Sequence, residues 1–225
     1  MNTAAAAAAT PPPAGTPPLR ADAARNRAQI LAAARAAFRE LGTAAPLDEI
    51  ARRAEVNIAT LYRRFPDRDA LVRQVVVDGL NVLGEAVQRA LEAARTDAFR
   101  ALEQLLMDMV NEREKLILPL IGGPTTDDAE AADLQRENAV RIEEILSNAR
   151  AQGTVRDDAT AVDVIAAGAM ACRPMPYIPT EQAAAIATRH MRIFIDGLRP
   201  PTQVPPLLPE APTPDQLFAN LRTTD

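Results

Sequence analysis

One cysteine, Cys172, stands in 225 residues, so no internal disulfide can form. A reducing cytosol is the expected compartment. Histidine is as scarce: His190 has no second histidine to share a zinc ion with. Tryptophan is absent and aromatic residues make up only 3 %, so a core must be built from aliphatic side chains and alanine. Alanine favours helix over sheet. No run approaches the ~18 consecutive apolar residues of a membrane span, so no membrane partner is expected. There is no phosphate-binding glycine loop, no nucleophile elbow and no dinucleotide fingerprint. An enzyme, a cofactor and a metal centre are therefore not expected.

Arginine is abundant instead. Of the 25 basic residues, Lys115 is the one lysine. Coding bias alone can raise arginine, so its placement carries the information. Net charge is −5, yet Arg20–Arg73 holds 11 arginines against 7 acidic residues. That third carries +4, and the rest of the chain carries −9. A basic segment on an acidic body suggests a polyanionic partner. Residues 1–19 are low-complexity Ala/Pro/Thr and are expected to be disordered rather than a signal peptide. Residues 199–225 form a Pro-rich extension. Within it Thr213, Pro214 and Gln216 read as a capping box opening a short helix with Leu217, Phe218 and Leu221.

Between these flanks 3.6-residue periodicity recurs and strict alternation does not, which predicts an all-α fold. Ile30, Leu31, Ala34, Phe38 and Leu41 form the apolar face of a first helix, stopped by Gly42. Leu47, Ile50, Ala51 and Ala54 mark a short second. Asn57 caps a third, ending near Phe65-Pro66. Asp67 caps a long fourth, with Leu71, Val75, Leu80, Leu83, Val87 and Leu91. Thr96 is the expected cap of a fifth, whose pattern fades near Pro119–Pro124, where a break or a short extra helix is expected. Later helices are predicted over about Asp127–Gln152 with Gly153 as stop, Asp158–Cys172, and Thr180–Gly197.

The stretch VNIATLYRRFPDRDALV, Val56–Val72, concentrates the chemistry. Two short helices joined only by Glu55–Asn57 are the mark of a helix-turn-helix. Val56, Leu61 and Phe65 point to the core, leaving Ala59, Thr60, Tyr62 and Arg63 outward or sideways. Small residues allow close approach to a groove. Hydroxyls can donate to phosphates, and arginine can read guanine edges or bind phosphate. Two adjacent arginines on a helix are more often a solvated face; the spacing of the whole segment favours DNA. Pro46 and Glu55 are the two weak points. Pro46 has no capping oxygen, and the carboxylate of Glu55 repels DNA weakly.

Leu47–Leu71, LDEIARRAEVNIATLYRRFPDRDAL, resembles the TetR/AcrR family of bacterial transcriptional regulators. The pattern is I-A-x-x-A-x-V, then T-L-Y-x-x-F, then a turn and a basic residue before A-L. The preceding Ala24–Gly42 resembles the family's first helix, and the turn GTVRD, Gly153–Asp157, resembles a late junction. The resemblance implies a homodimeric regulator, usually a repressor, binding a double-stranded palindromic operator and released by a small-molecule inducer. It implies a helix-turn-helix domain over residues 20–66 and a helical ligand-binding and dimerisation domain over 67–198. Asn57, Ile58, Ala59, Thr60, Tyr62, Arg63 and Arg64 lie where the family touches DNA. Arg68 matches a phosphate contact, and Arg25 and Arg27 are weaker candidates. The alternative is a helical ligand- or partner-binding dimer without sequence-specific DNA binding.

For the body, the expected inducer is hydrophobic or amphipathic. Leu83, Val87, Met107, Met109, Met170, Met175 and Tyr177 are its candidate lining, although ordinary core packing also accounts for each. The last two helices offer a dimer face: Val162, Ala166 and Ala169 on one, Ile186, His190 and Phe194 on the other. Cys172 reads as a buried apolar residue. The acidic cluster Asp127, Asp128, Glu130 and Asp133 reads as a helix start, its spacing matching no calcium loop.

Overall fold

Carboxylates and glycines set the helix boundaries. The computed structural model describes residues 19–116, 128–175, 177–201, 208–209, 211–213 and 216. Eight helices lie wholly within the described residues, which hold no strand: α1 (Leu19–Leu41), α2 (Leu47–Arg53), α3 (Ile58–Arg64), α4 (Arg68–Ala93), α5 (Ala98–Asn111), α6 (Ala129–Ala151), α7 (Ala161–Cys172) and α8 (Thr180–Gly197). Asn57 accepts from the Ala59 amide at 2.8 Å and Asp67 from that of Ala70 at 2.7 Å, as the sequence predicts. Gly42 and Gly153 follow α1 and α6 at φ +75° and +66°, the left-handed region glycine enters at no steric cost.

Three starts differ from expectation. Asp97, not Thr96, caps α5, accepting from the Arg100 amide at 3.0 Å; its charge adds helix-dipole attraction that threonine lacks. Asp128 caps α6, accepting from the Glu130 and Ala131 amides; Asp127 lies outside the described residues. Asp158 does not start α7, because Arg156 holds it at 2.5 and 2.9 Å. Thr160 does, its amide and hydroxyl both donating to Asp163 at 2.8 Å. The break expected near Pro119–Pro124, and Leu217, Phe218 and Leu221, also lie outside the described residues. The reciprocal Thr213–Gln216 hydrogen bonds of the tail are present, at 2.8 and 3.2 Å.

Two hydrophobic cores divide within α4. The first joins α1, α2 and α3 to the α4 segment Leu71–Leu80, with Ala131 of α6 added. The second runs from Leu83 through α5 to α8. One rigid helix thus contributes to both, and the expected boundary at 66–67 marks its N-terminus. α4 packs mainly on α6 and α5. At the division, Asn138 of α6 is the one buried polar residue among those described. Its Nδ2 donates to the Leu80 carbonyl at 3.1 Å. Gly84 makes room for it, since a Cβ there would sit 3.1 Å from Asn138 Oδ1. Outside the cores, Arg39 of α1 pairs with Glu114 at 3.1 Å, and Arg73 of α4 pairs with Asp128 and with Glu130. Leu41, placed on the apolar face of α1 by periodicity, is half exposed at the helix end.

Candidate nucleic-acid interface

A helix of seven residues cannot hold its position by its own hydrogen bonds. Side-chain anchors hold α3 instead. Leu61 is fully buried, Phe65 nearly so, and Val56 packs against the same core. Burying a leucine stabilises by ~1.5–3 kcal/mol, so Leu61 fixes the helix and decides which face turns outward. That outward face carries Ile58, Ala59, Tyr62, Arg63 and Arg64, with Tyr62 49 % exposed. Thr60 is half buried, and its Oγ1 accepts from Arg63 at 3.3 Å. Asn57 is exposed, but its side-chain oxygen is committed to the cap.

The neighbouring arginines are spent on scaffold. Glu49 receives a two-pronged contact from Arg52 (2.8 Å twice) and a third bond from Arg53 at 2.7 Å. Arg53 also reaches Glu40 of α1 at 2.8 Å, tying α2 to α1. These bonds, first from Arg52 and then from Arg53, hold the Glu49 pKa down to about 2. The sign follows: the folded pKa lies below the unfolded one, so the clamp is intact above the ordinary carboxylate range. It is lost as pH falls toward 2. Glu49 with Arg52 and Arg53 was legible as an i, i+3, i+4 set that sequence reading passed over.

The remaining candidates fall in different places. Arg68 is half buried, and its Nη1 donates to the carbonyls of Thr43 at 2.9 Å and Ala45 at 2.5 Å. It pins the α1–α2 turn to the start of α4. Arg27 leans toward Asp78 of α4 at 3.9 Å, which Arg35 also approaches at 4.0 Å. Arg25 is exposed, 4.0 Å from Asp22.

The turn before α3 holds a cost. Glu55 is at φ +55°, a conformation that disfavours any residue with a Cβ. Glu55→Gly is expected to stabilise the fold by ~1 kcal/mol and to tighten DNA binding slightly, by removing a carboxylate just before α3. Chemical denaturation and an operator titration at two salt concentrations check the two effects separately.

Among the clefts formed by the described residues, none gathers the nominated ligand lining. Leu83, Val87 and Met109 are buried in the second core, and Met107 packs against it. Leu83 and Met109 also border a small polar cleft of about 180 Å³ beside Arg89 and Lys115. Met170 and Met175 border a second cleft, of about 170 Å³, between α7 and α8. Met175 and fully exposed Tyr177 border a third, larger one near α1. Of the nominated dimer residues, Val162 is buried, Ala166, Ala169, Ile186 and Phe194 are half buried, and His190 is exposed. Next to them Met170 and Ile193 are exposed by 68 % and 59 %.

Cys172 is buried, with its thiol 3.7 Å from the Met109 carbonyl, and burial pushes its pKa up to about 12. The raised value keeps the thiol neutral to well above pH 9, so no nucleophilic thiolate is present at neutral pH. A disulfide reagent at pH 8 is expected to label Cys172 only after denaturation; rapid labelling of the native protein would contradict this. The acidic cluster is likewise accounted for: Asp128 caps α6 and pairs with Arg73, as Glu130 also does, and Asp133 pairs with Arg136. Among the described residues no helix is long and apolar enough to cross a membrane.

Residues 30–75 match the model of the bacterial regulatory proteins, tetR family, and residues 97–200 that of the transcriptional regulator SbtR-like C-terminal domain. No curated protein matches the chain. Among solved structures, the TetR transcription regulatory protein from Mycobacterium vanbaalenii is 33 % identical, over 81 % of this chain and 99 % of that one, with a TM-score of 0.45. TetR transcriptional regulator SCO0520 from Streptomyces coelicolor is 28 % identical, over 77 % and 98 %, with a TM-score of 0.54. The ketosteroid transcriptional regulator KstR2 of Mycobacterium tuberculosis shares the fold, with 17 % identity over 78 % and 95 % and a TM-score of 0.61. The first family model covers the segment holding the Tyr62–Arg64 ridge and the second covers most of the second core, so the chain belongs to the TetR family and is a helix-turn-helix transcriptional regulator.

Proposed function

We propose that this protein is a cytoplasmic repressor, without enzymatic activity, that binds a palindromic operator as a homodimer. A small hydrophobic or amphipathic molecule releases it from DNA. The observation that carries the reading is the exposed ridge Tyr62–Arg63–Arg64, raised on the buried anchors Leu61 and Phe65. The arginines of α2 on the preceding element are already neutralised by Glu49 and Glu40, so the cationic groups of α3 stand out. Asn57, Ile58, Ala59 and Thr60 form the start of the ridge that would enter the major groove, with Arg25 as a further backbone contact.

Release follows from α4. Because α4 carries Leu71–Leu80 in one core and Leu83–Ala90 in the other, a ligand that shifts the body must shift the ridge. Linkage makes the effect mutual: ligand and DNA weaken each other by one factor, typically ~1–3 kcal/mol. Selection of bound duplexes from a random pool tests the DNA half of the reading. The expected product is an inverted repeat whose half-sites lie about one helical turn apart. A selected pool with no enriched sequence would overturn operator binding and leave a helical binding protein.

A further inference from the structure

A cleft of about 440 Å³ lies where the DNA-binding unit meets the body. Its walls come from the end of α1, the residues after α5, and the segment joining α7 to α8. Its lining is apolar at Met175, Ile178 and Ala183 and cationic at Arg39, Arg113 and Arg173. Two carboxylates also line it, and both are already used: Glu114 pairs with Arg39 at 3.1 Å, and Glu40 turns to Arg53 at 2.8 Å. Arg113 and Arg173 face no carboxylate within 4.0 Å among the described residues. The volume suits a small organic molecule, and the lining combines apolar residues with surplus positive charge.

We propose that this cleft is the inducer site, and that it takes an amphipathic carboxylate whose acid group lies between Arg113 and Arg173. The apolar chain or ring lies along Met175, Ile178 and Ala183. Guanidinium groups bind carboxylates through paired N–H donors, which favours an acid over the corresponding alcohol. The site is placed to act on DNA binding, because its wall includes the one described ion pair between α1 and the residues after α5, Arg39–Glu114. A carboxylate held there adds negative charge beside the Arg39–Glu114 pair and so loosens α1 from the body. This deepens the proposed function and rests on it.

Calorimetry with decanoate, decanol and decylamine tests the site, using wild type, the double variant Arg113→Gln/Arg173→Gln and the cleft-filling Ala183→Phe. Decanoate is expected to bind wild type about tenfold or more tighter than decanol, with decylamine weakest. The double variant is expected to lose that advantage while keeping its unfolding temperature and its ligand-free operator affinity. Ala183→Phe is expected to exclude decanoate and decanol alike. Undiminished decanoate binding in the double variant, or none to wild type, overturns the site. Operator titrations separate the two readings. Binding that needs both arginines yet leaves operator affinity unchanged overturns the inducer assignment. Release of the operator by other small molecules, with decanoate inert, overturns this site and leaves the proposed function standing.

Discussion

An Arg63→Ala protein is expected to bind its selected operator ~1–3 kcal/mol more weakly, about 5–150-fold, and to lose discrimination at one base pair in each half-site. Arg63 sits on the outward face of α3, with the Thr60 hydroxyl at 3.3 Å as its one partner among the described residues. Its removal therefore leaves no buried group unsatisfied, and the unfolding transition should not move. Arg68→Ala is expected to differ. Its guanidinium carries two bonds to the carbonyls of Thr43 and buried Ala45, and a bond from a charged donor is worth ~1.5–3 kcal/mol. The unfolding transition should fall, and every DNA sequence should bind more weakly because the α1–α2 turn loses its tether. Any phosphate contact made by Arg68 shows separately, as a salt dependence flattened by about one charge. A folded Tyr62→Ala/Arg63→Ala protein with unchanged operator affinity would remove α3 from the interface.

What the sequence made legible was local. Leu61 and Phe65, four apart, announce which side of α3 is buried, and Gly42 and Gly153 stop their helices because a left-handed turn needs no Cβ. Asp67 and Asn57 cap where they stand because the cap bond reaches only two or three residues. What failed depends on partners distant in sequence. Asp158 was free to open a helix until Arg156 took it, and nothing in the pattern chooses between them. Arg68 reads as a phosphate contact from its match to the family pattern at a helix start, and the pattern does not show that its Nη1 also holds carbonyls 23 and 25 residues earlier. Asn138 was half legible: it occupies the apolar stripe Leu134–Asn138–Ile142, where a polar residue must find a partner. That the partner is the Leu80 carbonyl required knowing that α6 crosses α4 there. The candidate ligand lining is divided between the second core and three clefts of the described residues for the same reason. Hydrophobicity marks Met107, Met109 and Met170 alike, whereas a cavity is defined by the distances between helices.

Met170→Glu combined with Ile193→Glu is expected to turn a dimer into a monomer at micromolar concentration. α7 and α8 each bury one face in the body and leave another uncovered. On α7 that face holds Ala166, Ala169 and Met170; on α8 it holds Ile186, His190 and Ile193. The small residues of α7 permit close helix approach, and the exposed Met170 and Ile193 supply the apolar area. A two-fold axis makes such a patch meet its own copy, so each substitution counts twice. Full burial of a side chain of this size contributes ~1.5–3 kcal/mol; half of that, over four side chains, is ~3–6 kcal/mol, or about two to four decades in Kd. The introduced carboxylates also face each other across the axis, which adds repulsion. Neither side chain belongs to the body core, whereas Phe194 packs against it, so Phe194→Asp would confuse dissociation with misfolding. Sedimentation equilibrium reads the result. The monomer should keep its helix content yet lose operator affinity, because one α3 alone reads one half-site and nothing holds a second about 34–36 Å away. A doubly substituted protein that sediments as a dimer would place the interface on another face.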